Sequence, residues 1–497
     1  MSQDKSYKDS LKATSLFGGV QLYNILIGII RSKFTALLLG PYGMGITGLY
    51  TSATGLINAI SGLGIGSSAV KNIAEANASG DQERIVKVIS VFRKLVWITG
   101  LLGAVFCLVL APWLSQLSFG NKDYTVGFMI LSCTLLFKQL TTGQNTLMQG
   151  LHKYAYMAKA NVIGSTIGLF ITVPLYYIWG KTAIVPVLVI AELTSMILAY
   201  FFSKKLEIKS APVSANELKS EGTNMVVMGI MISLGSLLSL AASYLIRIFI
   251  SNTGGLDDVG LYNAGFAIVN TYVGMVFTAM GTDYYPRLSE VNHDEKAFGN
   301  LINNQIEIAL FIIAPIIVAF IVFIRPVVVL LYSDKFISIE GMVYWAILGI
   351  FFKATSWAIA FSYLAKGDSK AFFYNETLSV IYVTVLNVLF YKYWGLTGIG
   401  LSFLIGYVIY AIQVWLICGR RYHITLRSSV FKIYLSQLPI AIICLLLVKF
   451  TSPIVYYSVS TLLLLTSLAV SFVGLDKRIG LKEIIRRRIN LNSATLL

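Results

Sequence analysis

Charged residues are scarce in this chain. Only 12% of its 497 residues are Asp, Glu, Lys or Arg, whereas a soluble domain carries roughly 25%. In their place, 56% of the residues are hydrophobic and the mean hydropathy is +0.75. No long hydrophilic stretch is left to form a separate catalytic domain. This composition excludes an ordinary soluble protein and predicts an integral membrane protein.

Cysteine and histidine are also rare, which argues against two kinds of site. Each of the four cysteines lies singly within an apolar stretch, so we expect buried thiols rather than a disulfide framework. The three histidines stand alone in polar connections, without the Cys, Asp or Glu spacing of a metal site. We therefore expect no metal and no other cofactor. These residues are Cys107, Cys133, Cys418, Cys444, His152, His293 and His423.

Nucleotide-binding motifs are absent or out of context. The sequence contains no GxxxxGK[ST] phosphate loop, and segment 43–48 matches GxGxxG only where it opens a membrane helix instead of following a strand. The N-terminus carries lysines before an apolar segment but no small-residue cleavage site. This pattern predicts a retained first helix rather than a removed signal peptide.

Apolar runs separated by charged or Gly/Pro connections predict an all-α polytopic membrane protein with twelve to fourteen spans. Many glycines, together with Arg31 and Lys33, dilute the signal in the first two runs. The fourteen candidate spans lie near residues 13–37, 44–70, 87–111, 124–148, 156–179, 182–203, 223–250, 259–284, 302–324, 342–365, 371–393, 396–418, 430–449 and 453–474.

The basic residues predict the orientation of these spans, because cytoplasmic loops retain Lys and Arg. With the N-terminus inside, the inner connections and helix ends collect about 28 of the 39 basic residues, and the outer loops hold about six. We therefore expect both termini in the cytoplasm. The net charge of +16 then reflects topology and attraction to anionic lipid headgroups rather than binding of nucleic acid.

An internal repeat links the two halves of the chain. The tripeptide Gly48-Leu49-Tyr50 recurs 212 positions later as Gly260-Leu261-Tyr262. At the same offset Asn58 matches Asn270, and the pair Glu83-Arg84 matches Glu295-Lys296. An offset of six helices preserves orientation, so the repeat predicts two parallel six-helix lobes with a substrate path at their interface.

This repeat sets the predicted domain organisation. We expect two six-helix lobes joined by a cytoplasmic linker, followed by two additional transmembrane helices and a basic cytoplasmic tail. Their ranges are 1–205 for the N-terminal lobe, 206–222 for the linker, 223–420 for the C-terminal lobe, 421–475 for the added helices and 476–497 for the tail.

Eight of the charged residues inside predicted spans are candidate site residues. A charge at the centre of a membrane helix costs about 2.5–3.5 kcal/mol, so such residues normally face a cavity or a partner. Eight of them predict a wet path through the protein. The basic residues are Arg31, Lys33, Lys138, Arg247 and Lys353, and the acidic residues are Glu192, Glu307 and Glu376.

Helical spacing groups most of the cations with polar neighbours. Lys138 shares a stripe with Thr142 and Asn145, Arg247 shares one with Ser243, and Arg31 shares one with Asn24. Lys353 has small neighbours at helical spacing, such as Gly349 and Ser356. Arg31 and Arg247 are 216 positions apart, and Lys138 and Lys353 are 215 apart. The two lobes would therefore offer cations from equivalent places.

Each charge also has a structural explanation. Arg31, Lys33 and Arg247 lie in the outer thirds of their spans and could extend to the outer headgroups. Glu307 and Glu376 lie near inner ends, where solvent or a capping role could account for them. Glu192 could neutralise Lys138 in a buried pair. Lys138 and Lys353 lie at mid-span, where a lysine side chain reaches the headgroups only with difficulty.

The balance of charge suggests the cargo. Five positive against three negative residues, beside hydroxyl and amide stripes, favour an anion that also presents hydroxyl groups. A lipid-linked sugar with a phosphate or pyrophosphate link has this chemistry. The hypothesis is that Lys138 and Lys353 bind the pyrophosphate, with Glu192, Glu307 and Glu376 as candidate proton-coupling residues.

Six short stretches carry a resemblance to a known family. They occur in order over residues from about 10 to 425, so the resemblance covers most of the chain. The chain resembles the Wzx-type O-antigen translocases of the multidrug/oligosaccharidyl-lipid/polysaccharide (MOP) exporter superfamily, and in particular the enterobacterial common antigen flippases. The stretches are LLLGPYGMGITGLY, LSFGNKDY, DDVGLYNA, YYPRLSEV, LLYSDKF and AKGDSKAFFYNE.

The resemblance implies a V-shaped, MATE-like pair of six-helix lobes in the bacterial inner membrane, working by alternating access without ATP hydrolysis. The implied cargo is an undecaprenyl-pyrophosphate-linked oligosaccharide carried from the cytoplasmic to the periplasmic leaflet. The implied partners are a polysaccharide polymerase and a chain-length regulator. Carried over to this sequence, the charged cavity residues of such flippases fit Arg31, Lys138, Arg247 and Lys353. The last two helices and the basic tail depart from relatives that often stop near twelve helices.

Two alternatives stay open. A multidrug exporter of the same superfamily would have the same fold, although it usually takes cations, which a basic path suits poorly. A membrane glycosyltransferase or polysaccharide polymerase would also handle polyprenyl-linked sugars. Asp257-Asp258 in an outer loop is the acidic pair most like a catalytic site, but the outer connections are short for such an enzyme.

Overall fold

The computed structural model describes residues 3–208, 211–450 and 452–483, with the backbone alone given for residues 3–17, 272, 449 and 450. These ranges are helical and contain no β-strand, which confirms the predicted all-α fold. Residues 484–497 of the predicted basic tail, and Lys209 of the predicted linker, lie outside the described residues.

Fourteen α-helices make up the described chain. Short 3₁₀ turns at Gly180–Ala183 and Asp334–Ile339 and a π-helical stretch at Ala267–Val273 connect some of them. The helices are α1 Gln3–Gly62, α2 Ile65–Ser79, α3 Gln82–Phe119, α4 Thr125–Gly150, α5 Tyr154–Trp179, α6 Ile184–Lys204, α7 Ala215–Gly254, α8 Leu256–Phe266, α9 Met275–Glu290, α10 Glu295–Leu331, α11 Glu340–Ala365, α12 Ser369–Tyr422, α13 Ser428–Phe450 and α14 Pro453–Ile479.

Eleven continuous helical stretches of the described chain are long and apolar enough to cross a membrane. Three of them, Gly18–Gly62, Tyr154–Lys204 and Ser369–Tyr422, have 45, 51 and 54 residues. A straight helix of about 50 residues would be about 75 Å long, more than twice the thickness of the hydrocarbon core. Dividing these three stretches in two is compatible with the predicted fourteen spans, although the exact number stays a prediction.

A glycine in a left-handed conformation breaks each of the three long stretches. The φ angles are +66° at Gly40, +54° at Gly180 and +56° at Gly395. An L-residue would be strained by about 1–2 kcal/mol in this region, whereas glycine is not. Pro41 reinforces the first break, since proline lacks the N–H that would continue the helical ladder.

Helix α2 is amphipathic, and its first residues lie within the predicted second span. Left-handed residues at Leu63 and Gly64 end α1 and start α2, so the predicted span 44–70 extends beyond the helix end at Gly62. The apolar face of α2 contains Ile65, Ala69 and Ile73, all fully buried, and it packs on α3, α4 and α7. These apolar residues prolonged the hydropathy signal past the true end of the span.

Helix α7 begins within the predicted linker 206–222. A capping box starts it, in which the Ser214 side chain accepts from the Glu217 backbone and the Glu217 carboxylate accepts from the Ser214 backbone. Lys87 of α3 pairs with Glu217 at 2.9 Å. Only the first part of the linker is therefore non-helical among the residues described.

The chain divides into two compact units. Unit 1 comprises the chain up to Leu261 together with Leu331–Lys335, and unit 2 comprises Tyr262–Leu330 and the chain from Phe336 onwards. Helix α7 belongs to unit 1 because it packs on α1, α2 and α3. The division therefore falls after α7, whereas the predicted lobes divide in the linker before it, and the lobe boundaries stay a prediction.

Two of the family-like stretches serve packing within unit 1. Phe119 and Tyr124 of LSFGNKDY stack with ring centroids 3.8 Å apart, and left-handed Gly120 makes the turn between them. In LLLGPYGMGITGLY, a Cβ on Gly45 would collide with the Leu256 carbonyl oxygen. Gly45 therefore allows close backbone contact between α1 and α8, and segment 43–48 lies within a helix instead of following a strand.

Polar contacts fix α13 and α14 to α10 within unit 2. The Tyr456 hydroxyl donates to the Ile321 carbonyl oxygen at 2.8 Å. Arg478 and Ser429 both donate to the carboxylate of Glu307, one to each oxygen. The Ser467 hydroxyl donates to the Gln437 side chain at 2.7 Å, in the buried seam between α13 and α14. The two additional helices are thus an integral part of unit 2.

Candidate functional site

A polar cavity of about 180 Å³ lies in unit 1 between α1, α4, α5 and α6. It brings together Asn24 and Arg31, two predicted substrate-binding residues, although only their helical spacing was known from the sequence. Small residues of α5 and α6 form most of the remaining wall. The other polar lining residues are Thr141, Asn161, Ser165 and Ser195.

Arg31 is half-buried and is held by α5. Its Nη2 donates to the Ser165 carbonyl oxygen at 3.1 Å, and the Ser165 hydroxyl donates to Asn24 Oδ1 at 2.6 Å. Gly168 leaves room for the guanidinium, since a Cβ there would lie 2.8 Å from Nη2. Arg31 Nε is buried without a hydrogen-bond partner. No carboxylate of the described residues lies within 4.0 Å of Arg31.

Lys138 and Glu192 lie near each other within unit 1. Lys138 is exposed on α4, and Glu192 of α6 is close enough to interact with it electrostatically. Their charged atoms do not approach within the 4.0 Å of an ion pair in the part of the chain the structure describes. The Thr142 hydroxyl donates to the Lys138 carbonyl oxygen at 2.9 Å. Asn145 Oδ1 is buried with no hydrogen-bond partner.

Lys353 of α11 is half-buried in unit 2, among an amide and three aromatic rings. Its Nζ donates to Asn270 Oδ1 at 3.1 Å. The same atom lies 5.4 Å from the ring centroid of Tyr407, 5.8 Å from that of Phe277 and 5.9 Å from that of Phe403. These distances are within the range of cation–π attraction. We call Asn270, Phe277, Phe403 and Tyr407 the Lys353 cage.

The local structure explains how the Lys353 cage is built. Asn270 lies in the π-helical stretch Ala267–Val273, and π-bulges frequently occur at functional sites. A Cβ at Gly349 would lie 2.8 Å from the Phe403 ring, so the predicted small-residue face of α11 packs on α12. From the sequence, Asn270 is recognised only as a repeat match, and the aromatic members of the Lys353 cage are not predicted. At the offset of 215 the rings of Phe277, Phe403 and Tyr407 match Gly62, Leu188 and Glu192, so the repeat gives no signal for them.

Arg247 lies beside Ser243 on α7, as their spacing predicted. Its Nη1 donates to the Ser243 carbonyl oxygen at 2.9 Å and to the Ser243 hydroxyl. Both bonds stay within one helix face. The structure therefore joins this predicted pair, while Arg247 belongs to α7 and not to the lining of the Arg31 cavity.

The two acids of unit 2 differ in their surroundings. Glu307 is buried, and both of its carboxylate oxygens accept hydrogen bonds from Arg478 and Ser429. Glu376 accepts from the Tyr410 hydroxyl, and no Lys or Arg of the described residues pairs with it within 4.0 Å. Glu307 therefore has the surroundings of a structural ion pair, while Glu376 is an acid without a cation.

The offset of 215 that relates Lys138 to Lys353 extends to their neighbours. It also relates Glu192 to Tyr407, since 407 minus 192 is 215. The cation of unit 1 thus lies near a carboxylate, while the equivalent cation of unit 2 lies near a phenol ring. Positions that the predicted repeat makes equivalent therefore differ in charge.

The acidic pair Asp257-Asp258 occupies the first turn of α8. Acidic side chains are favourable there because a helix N-terminus carries a partial positive charge. This position accounts for the pair without a catalytic role.

Long apolar helices define a polytopic membrane protein, and comparison with solved structures shows its fold. The structure titled "Lipid II flippase MurJ, inward closed conformation" matches with a TM-score of 0.71 and 14% identity, covering 94% of this chain and 99% of that chain. An inward-facing multidrug resistance MATE family transporter of the MOP superfamily matches with a TM-score of 0.64 and 20% identity, covering 83% and 96%. The predicted MATE-like transporter fold is confirmed.

The chain belongs to the family described as polysaccharide biosynthesis protein, whose model matches residues 34–340. The Lipid III flippase of Escherichia coli (strain K12) is 23% identical over 418 residues, which are 81% of this chain and 96% of that protein. These relatives are flippases and transporters rather than enzymes. The resemblance is confirmed at the level of the polysaccharide biosynthesis family.

Proposed function

We propose that this protein is a flippase for a lipid-linked oligosaccharide. It moves an undecaprenyl-pyrophosphate-linked repeat unit of an O-antigen or related surface polysaccharide from the cytoplasmic to the periplasmic leaflet of the bacterial inner membrane, by alternating access. Its place in the polysaccharide biosynthesis family and its similarity to a Lipid III flippase support this proposal. We further propose that both termini lie in the cytoplasm. The proposed downstream partners are a polysaccharide polymerase and a chain-length regulator.

The observation that carries the proposal is the presence of half-buried cations without acid partners. Arg31 donates a hydrogen bond to a carbonyl oxygen. Lys353 donates one to an amide oxygen and lies close to aromatic rings. Neither has a carboxylate within 4.0 Å among the described residues. A charge placed in a membrane costs about 2.5–3.5 kcal/mol. A passing anionic group such as a pyrophosphate would supply the missing counter-charge.

The Lys353 cage also suits the sugar part of the cargo. Its members offer ring faces and an amide beside the ammonium group. Apolar ring faces pack on the C–H faces of sugars, while amides and hydroxyls meet sugar hydroxyls. Asn24, with the hydroxyl of Ser165, offers similar groups beside Arg31. The two cations would therefore each combine anion binding with sugar contacts.

The remaining predicted site residues take secondary places in the proposal. Lys138, with Thr142 and Asn145 on its helix, would bind the anion less strongly than Lys353, because the nearby carboxyl group of Glu192 can offset its charge. Arg247 with Ser243 would be a further cation of the path. Glu192 and Glu376 are the candidate proton-coupling residues. Glu307 is set aside because Arg478 already neutralises it.

A drug exporter of the same fold is the second candidate, because a MATE transporter also matches the structure. Such a protein usually carries cations. Arg31 and Lys353, which have no carboxylate within 4.0 Å among the described residues, would repel a cationic drug, so the charge of the site favours the lipid-linked oligosaccharide.

Complementation tests the proposal. The full-length protein is expected to restore surface polysaccharide to a strain that lacks its own flippase, as read by immunoblot. Lys353→Ala and Arg31→Ala should each lower restoration by at least about tenfold at equal membrane expression, since about 1.4 kcal/mol of lost binding is a factor of ten. Lys392→Ala, at an exposed lysine, is the control and should restore normally. Normal polysaccharide with both site variants would contradict the proposal.

A further inference from the structure

A second cavity, of about 480 Å³, lies in unit 2 between α10, α13 and α14. Its volume is within the range of about 300–1,000 Å³ typical of ligand sites. It is distinct from the Lys353 cage, with which it shares no lining residue. Its walls are mainly apolar, formed by residues such as Phe311, Ile433, Ala469 and Val473.

Three basic residues line the cavity, and one of them is neutralised. Arg478 pairs with buried Glu307, and its guanidinium lies 4.8 Å from the centroid of the Phe311 ring. Lys432 and Lys477 are exposed and have no acidic partner within 4.0 Å among the residues described. The cavity therefore combines an apolar wall with two uncompensated positive charges.

The outer surface around the cavity is suited to lipid rather than to water. Phe431, Leu435 and Phe472, on the two helices that form the cavity, are exposed, and their surroundings in a membrane would be acyl chains. Lys432 lies five residues into α13, and Lys477 lies two residues before the end of α14. Both lysines thus lie at the same end of the α13–α14 hairpin, and basic residues at such ends attract anionic headgroups.

We infer that this cavity holds one anionic phospholipid. The phosphate of its headgroup lies between Lys432 and Lys477, and its acyl chains follow the apolar walls of α13 and α14. Charge complementarity selects the headgroup, since a zwitterionic lipid carries its own cation against the lysines. The bound lipid braces the α13–α14 hairpin against α10, in addition to the Glu307–Arg478 pair. This inference does not depend on the proposed cargo.

Lipid binding to the purified full-length protein tests the inference. Native mass spectrometry with equal concentrations of phosphatidylglycerol and phosphatidylcholine should show at least a fivefold preference for one bound phosphatidylglycerol. Phosphatidylglycerol should also raise the apparent Tm more than phosphatidylcholine does. The double variant Lys432→Ala/Lys477→Ala should lose both preferences.

Two controls separate this site from general surface attraction. Lys153→Ala/Lys159→Ala removes the same charge from exposed positions of unit 1 and should keep the preference. Ser436→Trp fills the cavity while leaving both lysines and should lose bound lipid. Equal binding of the two lipids by the unaltered protein would overturn the inference, as would equal loss in both double variants. Retention of a polyprenyl phosphate in preference to phosphatidylglycerol would also overturn it and assign the cavity to a cargo lipid.

Discussion

Two lysines at equivalent positions of the sequence repeat show how one residue type can meet different chemistry. Lys138 lies near the carboxylate of Glu192, and Lys353 lies among an amide and three rings. A nearby carboxylate offsets a lysine's charge, whereas rings and an amide oxygen stabilise the ammonium group and leave its net charge in place. We expect Lys353 to be the stronger anion ligand of the two.

Asn270 offers a test of this charge argument. Asn270→Asp would place a carboxylate where the amide oxygen now accepts from Lys353 at 3.1 Å, and it should neutralise the cation. Asn270→Ala removes the hydrogen bond but keeps the charge. We therefore expect restoration of surface polysaccharide to fall further with Asp than with Ala, at equal expression. Equal or better restoration with Asp would show that Asn270 has only a structural role.

Asp368 lies in the connection before α12 and gives a pH prediction. Partial burial alone would raise the pKa of this carboxyl, but hydrogen bonds from the Ala371 backbone, Tyr422 and Arg421 outweigh it and hold the pKa below its ordinary value. A depressed pKa in the folded state contributes stability above the unfolded-state pKa, and that contribution is lost as the pH falls through the folded value.

We therefore expect Asp368→Asn to lower the apparent Tm by a constant amount between pH 7 and about pH 5. The difference from the unaltered protein should shrink below about pH 4, the ordinary pKa of an aspartate. Ser369→Ala, which lies next to Asp368 in the sequence but carries no charge, is the control. A difference that grows as the pH falls would contradict this assignment.

The kinked helices show which element features are readable from sequence. Gly40-Pro41 and Gly395 break α1 and α12 where the hydropathy runs were divided, because glycine and proline interrupt helices for known steric reasons. The amphipathic helix α2 was not predicted, since its apolar face resembles a continuing span. The start of α7 at the Ser214 capping box was also missed, although Ser-x-x-Glu is a known start signal.

The Glu307–Arg478 pair links α10 to α14 and is expected to stabilise unit 2. Arg478→Ala would leave a buried carboxylate unpaired, which costs about 3–5 kcal/mol, so the apparent Tm should fall clearly. Adding Glu307→Gln removes the stranded charge and should recover part of the loss. Thermal unfolding of the purified variants measures both. An unchanged Tm for Arg478→Ala, or no recovery in the double variant, would contradict the assignment.

At the scale of the whole molecule, composition and periodicity predicted the all-α membrane fold, because the bilayer requires long apolar helices. The faces of Arg31 with Asn24 and of Arg247 with Ser243 followed from helical spacing. The hydrogen-bond and ring partners that these side chains find on other helices did not follow from helical spacing. Ser165 beside Arg31, the aromatic rings beside Lys353 and Arg478 beside Glu307 each come from distant segments. Sequence spacing within one helix carries no information about such contacts.

At the centre of the proposed function, Arg31 and Lys353 bind the anionic group of a lipid-linked oligosaccharide as the protein moves it across the membrane. Reconstitution in proteoliposomes tests this proposal most directly, with an undecaprenyl-pyrophosphate oligosaccharide labelled on the sugar and a membrane-impermeant reagent that reports which leaflet the sugar occupies. We expect the unaltered protein to move the labelled sugar between leaflets, and Arg31→Ala/Lys353→Ala to move it no faster than protein-free vesicles. Equal movement by the double variant, or no movement by the unaltered protein while it exports a cationic drug, would contradict the account.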